Sequence, residues 1–341
     1  PYLLPRHRVV CMSVVSVSAP PSADMSAIVC ITLFLAAIQQ SEALAQMHAS
    51  HIDFGYDVDG LLGPDKWVNQ FQTCSGKYQS PIDIEEELVE RVSLPPLVFQ
   101  GFSELPRESV IINNGHTVML QFNHTSPVTV SGGPLPGMYQ FAQLHFHWGY
   151  NDSYGSEDTI NNHSYPMELH MVFFKTDYQS VDEAMQYKDG LLVLALFYEI
   201  DDSNSDNVVY SEIVRKFPDI EFPHSSTRLD ISLSLNVLLP FDTERYFTYK
   251  GSLTTPPCLE VVTWIDFKHP IYLSHSQLSA FRKLRSVEGY MTHNARPIQP
   301  LSGRPVWYNV QEYPDSSATS LHLTIPLLLC TLFAYSALFV L

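Results

Sequence analysis

Two histidines separated by one residue, His145 and His147, lie within an apolar and aromatic run at residues 143–148 (QLHFHW). This run predicts a β-strand, in which alternate side chains point to opposite faces. His145 and His147 would then share one face, where two imidazoles can bind one metal ion. Zn²⁺ is the expected ion, because neutral imidazole suits it and no cysteine lies nearby.

A second apolar run, residues 167–174 (MELHMVFF), contains a candidate third ligand, His170. Glu168 shares its face, and ligating histidines usually donate their other ring N–H to a carboxylate or amide. Three protein ligands leave a fourth coordination position open, which is the pattern of a catalytic site. The alternative is a set of partly buried histidines that bind no metal.

The spacing of the apolar runs predicts the fold class. The chain has 341 residues, 45% of them hydrophobic, which suffices for one large core. Short apolar runs alternate with turn residues and predict a large, mostly antiparallel sheet. The runs are residues 110–112, 117–122, 128–130, 141–148, 169–174, 191–198, 231–235 and 261–267. Residues 46–94 are loop-like, and helices are predicted at 180–187 and 274–284. No internal repeat or low-complexity linker divides the chain, so one domain is expected.

Both ends of the chain carry apolar segments. Met25 is the expected start, with Met12 or a position further upstream as the alternatives. Residues 27–38 form an apolar core, and Ala43-Leu44-Ala45 predicts cleavage after Ala45. Residues 1–45 are therefore interpreted as an N-terminal extension and signal peptide, with a buried helix as the alternative. Residues 311–341 combine a small-residue spacer with a tail free of Asp, Glu, Lys and Arg from residue 321. This pattern predicts a GPI-anchor signal, with a single transmembrane helix as the alternative.

The remaining segment, residues 46–310, is the expected catalytic domain, exported through the secretory pathway to the extracellular face of the plasma membrane. It contains two of the five cysteines, Cys74 and Cys258, and two cysteines in an exported domain are expected to pair. Glycosylation sequons begin at Asn123, Asn151 and Asn162. The net charge of −17 argues against nucleic acid as a partner.

Seven short motifs in this segment resemble the α-class carbonic anhydrases, in order from about Phe54 to about Leu301. They are residues 79–84 (QSPIDI), 113–116 (NNGH), 143–149 (QLHFHWG), 155–157 (GSE), 168–170 (ELH), 251–258 (GSLTTPPC) and 294–297 (NARP). The resemblance implies an α+β, mainly β domain with a twisted central sheet of about ten strands and short surface helices. It also implies cis peptide bonds at Ser80-Pro81 and Pro256-Pro257 and a disulfide between Cys74 and Cys258.

The resemblance implies a function as well. Zn²⁺ held by His145, His147 and His170 would lower the pKa of its bound water, and the resulting hydroxide would attack CO2 to form bicarbonate. Thr254 would accept the proton of that hydroxide in a hydrogen bond and donate its own to Glu157, while its backbone N–H meets a substrate oxygen. His116 corresponds to the family's proton shuttle, because a histidine exchanges protons near neutral pH.

Further positions carry over from the family as supporting residues. Gln143 and Glu168 would hold the ring nitrogens of His145 and His170, and Asn294 belongs to the same supporting layer. Tyr56, with Asn114, would order the waters beside the shuttle. The expected substrate pocket is mainly apolar, which suits CO2, and consists of Thr254, Thr255, Val172, Val193, Leu253, Val262 and Trp264.

The chain departs from the family pattern at a few positions. Asp158 replaces a histidine behind the metal ligands, and an added carboxylate there is expected to raise the pKa of a neighbouring acid. Phe54 and Ala295 replace tryptophans, while Met119 and Gln121 occupy variable cleft positions that are expected to affect inhibitor preference. We expect a monomer that sulfonamides inhibit. The alternatives are a catalytically inactive carbonic-anhydrase-like binding module and a zinc hydrolase of esters.

Overall fold

The computed structural model describes residues 54–310, and most of these residues surround one large sheet. The strands are β1 (Asp83–Ile84), β2 (Glu90–Val92), β3 (Val98–Gln100), β4 (Glu108–Asn113), β5 (Val118–Asn123), β6 (Thr129–Ser131), β7 (Tyr139–Trp148), β8 (Thr159–Ile160), β9 (Met167–Lys175), β10 (Leu191–Ile200), β11 (Ser225–Arg228), β12 (Tyr246–Gly251), β13 (Val262–Leu273), β14 (Arg285–Ser286), β15 (Gly289–Tyr290) and β16 (Trp307–Asn309).

The central sheet contains twelve strands within the described residues and is mixed. Ten of them follow the order β11-β4-β5-β7-β9-β10-β13-β12-β16-β2, with β6 pairing β7 and β3 pairing β6. The pairs β10–β13 and β16–β2 are parallel, and the other pairs of this sheet are antiparallel. The prediction of a mainly β domain with a large, mostly antiparallel sheet is therefore confirmed, with parallel pairing in two places that the apolar spacing does not reveal.

The central strands bury both faces, as their composition requires. β10 is almost continuously apolar, and both β9 and β10 are almost entirely buried, whereas β4 alternates half-buried and buried residues. One face carries a large core that includes Phe146, Leu169 and Phe267. The opposite face carries a smaller core that includes Val172, Val193 and Trp264. The second face also holds the histidines of the predicted metal site.

The helices between residues 54 and 310 are short and peripheral. They are α1 (Val181–Ala184), α2 (Val208–Val214) and α3 (His275–Phe281), and 3-10 turns lie at Trp67–Asn69, Gln72–Ser75, Phe217–Ile220 and Leu235–Leu238. The predicted helices at 180–187 and 274–284 are present in shortened form, each starting after a serine whose hydroxyl accepts a backbone N–H. The prediction did not identify α2, which begins after the cap residue Asn207.

One predicted strand is wrong. The alternation at residues 231–235 indicated a strand, but the segment pairs with no neighbour and continues into the 3-10 turn Leu235–Leu238. Leu233 and Leu235 are buried in the large core, and the Asn236 N–H donates to the Phe102 carbonyl. The apolar alternation therefore reflects a loop that inserts alternate side chains into the core without a strand edge beside it.

The covalent expectations within the described residues are met. Cys74 and Cys258 form a disulfide across 184 residues of chain. The peptide bonds Ser80-Pro81 and Pro256-Pro257 are cis. The predicted signal peptide and the predicted C-terminal anchor lie outside residues 54–310. Within the described part of the chain, no helix is long and apolar enough to cross a membrane.

Candidate metal centre

Three histidines from two adjacent strands converge on one point. His145 and His147 come from β7 and His170 from β9, and the register places His145 directly opposite His170. One ring nitrogen of each histidine lies within 4.8 Å of the corresponding nitrogens of the other two. His147 and His170 are each 1% exposed, and His145 is half-buried. The site therefore opens to solvent on the side of His145.

Each histidine uses its other ring nitrogen in a hydrogen bond. Nδ1 of His145 lies 2.9 Å from Oε1 of Gln143, and Nε2 of His170 lies 2.6 Å from Oε1 of Glu168. Because both partners offer an acceptor oxygen, these nitrogens carry the protons, which leaves His145 Nε2 and His170 Nδ1 as lone-pair donors.

The third histidine follows the same rule with a backbone partner. Nδ1 of His147 lies 2.8 Å from the carbonyl oxygen of Asn294. Nε2 of His147 is buried and has no hydrogen-bond partner among residues 54–310. A buried lone pair without a partner is costly unless a ligand occupies it. The donor set therefore fits a Zn²⁺ ion bound by three imidazoles.

Burial keeps two of these rings neutral. The pKa values of His145 and His170 are well below the usual histidine range, first because burial disfavours the imidazolium and then because neighbouring histidines repel a second positive charge. Metal binding requires neutral imidazole. His145 and His170 are consequently in their ligand form at neutral pH without having to release protons first.

Glu157 lies beneath the histidines and faces Thr254. The Glu157 side chain is 1% exposed, and its Oε1 accepts the Arg296 backbone N–H at 2.8 Å. Burial raises the pKa of Glu157, while His147, the Arg296 N–H and the Thr254 hydroxyl each lower it. Oε2 of Glu157 is buried and has no hydrogen-bond partner within the described chain. The Thr254 hydroxyl lies close enough to this carboxyl group to lower its pKa.

Glu168 and Asp158 form a second layer of buried acids. Oε2 of Glu168 accepts the backbone N–H groups of Glu157 at 2.8 Å and of Asp158 at 3.0 Å. The Asp158 carboxylate accepts from the Tyr249 hydroxyl and the Ile82 N–H. Burial first, and then the charges of Asp158 and Glu157, raise the pKa of Glu168 well above its usual range. The expectation that Asp158 raises the pKa of a neighbouring acid is thus met in direction.

His116 and Tyr56 line one cavity, and Asn294 links the His116 backbone to the His147 ring. The His116 ring stacks on Phe54 with centroids 3.9 Å apart, and its backbone is fixed by Asn114 Oδ1 and by Asn294 Nδ2. Tyr56 is 7% exposed, and burial together with the nearby Glu157 charge raises its pKa well above 10. A small cavity reaches both Tyr56 and His116.

The predicted apolar wall is one contiguous cluster beside His170. Val172, Val193, Val262 and Trp264 are buried in the second core, and Leu253 packs against it. The Trp264 and His170 ring centroids are 4.8 Å apart. Thr254 is 5% exposed, Thr255 is half-buried beside it, and Met119 pairs with His145 in the register.

Sequence reasoning did not assign roles to two buried residues near this site. The Arg296 guanidinium donates to Gln79 Oε1 and to the backbone oxygens of Ser80 and Cys74, so it fixes the segment that precedes β1. Asp266 is fully buried in β13. A single acidic residue inside the apolar run 261–267 was the available signal for Asp266.

Comparison with known proteins agrees with this geometry. A family model described as eukaryotic-type carbonic anhydrase matches residues 62–310. Mouse carbonic anhydrase 15 is 35% identical over 79% of this chain and 86% of its own length. Mouse carbonic anhydrase 7 is 38% identical over 75% of this chain and 97% of its own length. Mouse carbonic anhydrase 6 is 36% identical over 73% of this chain and 77% of its own length. The chain therefore belongs to the eukaryotic-type carbonic anhydrase family.

Proposed function

We propose that this protein is a zinc-dependent enzyme that catalyses the reversible hydration of CO2 to bicarbonate and a proton. The observation that carries the proposal is the arrangement of three histidine lone pairs around one point. The second ring nitrogen of each histidine is held by an acceptor, and an apolar wall lies alongside. Zn²⁺ bound there would lower the pKa of a coordinated water to about 7, an effect for which carbonic anhydrases are the standard example.

The remaining chemistry falls to side chains of this chain. CO2 has no net dipole, so the wall of Val172, Val193 and Trp264 can bind it without polar contacts. We propose that the Thr254 hydroxyl donates to the Glu157 carboxylate, whose Oε2 is buried without a hydrogen-bond partner among residues 54–310, so that Thr254 Oγ1 can only accept. It would therefore accept the O–H of the attacking oxygen and turn a lone pair of that oxygen toward the carbon of CO2.

The metal part of this proposal is tested by His145→Ala. Loss of one of three ligands should release zinc from the purified full chain and abolish CO2 hydration above background. His163→Ala is the matched control, because His163 is an exposed histidine outside the cluster. If His145→Ala hydrated CO2 at the wild-type rate, the proposed site would be wrong.

We further propose that His116 carries the proton from the site to buffer. The support is that His116 and Tyr56 line the same cavity and that Asn294 holds both the His116 backbone and the His147 ring. His116→Ala should lower turnover in weak buffer, and added imidazole should restore it, since imidazole replaces the missing acid–base group. His163→Ala again serves as the control. A His116→Ala enzyme whose rate is low but insensitive to imidazole would count against the shuttle.

We propose that the protein is exported and attached to the outer surface of the plasma membrane, by a GPI anchor in preference to a transmembrane helix. The Cys74–Cys258 disulfide supports an oxidising compartment, and the three sequon asparagines are exposed. Phosphatidylinositol-specific phospholipase C should release the activity from intact cells. Retention on the membrane after this treatment would favour the transmembrane alternative. Light scattering of the released protein should give a monomer.

A further inference from the structure

Asp266 is an acidic residue in the interior with no hydrogen-bond partner among residues 54–310. Its exposure is 0%, and both carboxyl oxygens are buried and unpaired. In the register of the sheet, Ala195 lies between His170 and Asp266, so Asp266 is separated from the nearest metal ligand by a strand. Alternation along β13 places it on the same face as Trp264.

A carboxylate in such a place cannot remain charged at an acceptable cost. Transfer of an ionised carboxylate from water to an apolar interior is very unfavourable unless donors or an opposite charge compensate, and the group takes up a proton instead. The described part of the chain gives Asp266 no donor. Asp158 and Glu168 are the acidic groups that interact electrostatically with Asp266. The Tyr249 hydroxyl interacts with Asp266 in the same way.

Asp158 is equally buried but, unlike Asp266, it accepts hydrogen bonds. It accepts the Ile82 N–H at 2.6 Å and the Tyr249 hydroxyl at 3.0 Å. These donors support an anion, and Arg304 adds a favourable charge, whereas Glu157 disfavours the anion. Asp158 can therefore exist in either protonation state, while Asp266 cannot.

We propose that Asp158 and Asp266 form a buried acid pair in which Asp266 keeps its proton and Asp158 is the member that titrates, so that the folded domain becomes less stable as the solution becomes more alkaline. This titration is a property of the folded domain and does not depend on zinc-catalysed CO2 hydration.

The direction of the pH dependence follows from proton linkage. Burial raises the pKa of Asp158 to about 7 and that of Asp266 well above its usual range. In the unfolded chain both acids would have pKa values of about 3.9. The folded state therefore binds more protons above pH ~4, and its stability falls as pH rises from there through the folded pKa.

The test is urea unfolding of the full chain without zinc, between pH 5 and pH 8, with the variants Asp266→Val and Asp266→Asn. Each variant removes one retained proton. The folded-to-unfolded ratio of the variant, divided by that of the wild type, should therefore rise about tenfold for each unit by which the pH is raised, up to the folded pKa of Asp266. Asp202→Asn is the control, because Asp202 is exposed. Its ratio to wild type should remain flat across this range.

A second readout detects the proton directly in the wild-type protein. With isotope-labelled aspartate, the wild type should keep an infrared C=O band of a protonated carboxyl group at pH 9, where Asp158 is ionised, and Asp266→Asn should lack it. Absence of this band from the wild type would overturn the proposal. So would a variant-to-wild-type stability ratio that does not change with pH for both Asp266→Val and Asp266→Asn.

Discussion

The histidine cluster and the Asp158–Asp266 acid pair lie on the same side of the sheet, yet they satisfy their polar atoms in different ways. Each histidine has an acceptor for its proton-bearing nitrogen and a lone pair directed to a common point. Asp266 has no partner within the described chain. The hydrogen bonds thus distinguish two kinds of buried polar group. A metal-binding histidine has a partner for its N–H and a free lone pair, whereas an acid that must keep its proton has no donor.

Trp264 lies between the two regions, and its removal should produce the largest effect. Its ring contacts that of His170 at 4.8 Å and stacks on that of Tyr249 at 6.0 Å. Trp264→Ala should lower the free energy of unfolding by about 3–5 kcal/mol, because it leaves a large cavity in the core. Urea unfolding gives the value, and Trp264→Phe should lose much less. An unchanged midpoint for Trp264→Ala would mean that the two regions do not share this core.

Gln143→Ala should separate metal affinity from stability. The substitution removes the acceptor that fixes the His145 ring, and loss of such a partner lowers metal affinity by about 10–100-fold. Competition with a zinc-sensitive chelator measures the change. Gln140→Ala, in the same strand, is the control and should retain wild-type affinity. Equal losses in both variants would show that the effect comes from β7 as a whole.

Tyr249→Phe should produce the smallest effect and should act on the acid pair. It removes the hydroxyl that donates to Asp158 and should destabilise the fold by about 1–1.5 kcal/mol. The loss should be greater at pH 8 than at pH 5, because a hydrogen bond to an ionised acceptor is the stronger one. Tyr308→Phe, which alters another tyrosine of the same core, provides the comparison. A greater loss at pH 5 would contradict the assigned protonation of Asp158.

Local patterns predicted much of the fold and the histidine arrangement. His-x-His in an apolar run and a Glu two residues before His170 are strand-periodic features, and the structure brings these side chains together because β7 and β9 are neighbours. Cys74 and Cys258 could be paired because few cysteines remain in the domain. These predictions require only the alternation of side chains along a strand and the amino-acid composition of the domain.

Other features depend on contacts between distant segments and could not be derived in this way. The parallel pairing of β10 with β13 is set by the connection between them. Residues 231–235 carry strand-like alternation, but no strand edge lies beside them. Asp266 is one acidic residue in an apolar run, and Asp158, whose charge raises the pKa of Asp266, comes from a distant part of the chain.

The central claim is that the histidine cluster holds zinc and hydrates CO2. Stopped-flow CO2 hydration by the purified full chain, with zinc measured in the same sample, tests it most directly. We predict one zinc per chain and rapid hydration that an aromatic sulfonamide blocks. Folded protein that binds no zinc, or that binds zinc and does not hydrate CO2, would contradict the claim, and folded protein without zinc would point to a binding module.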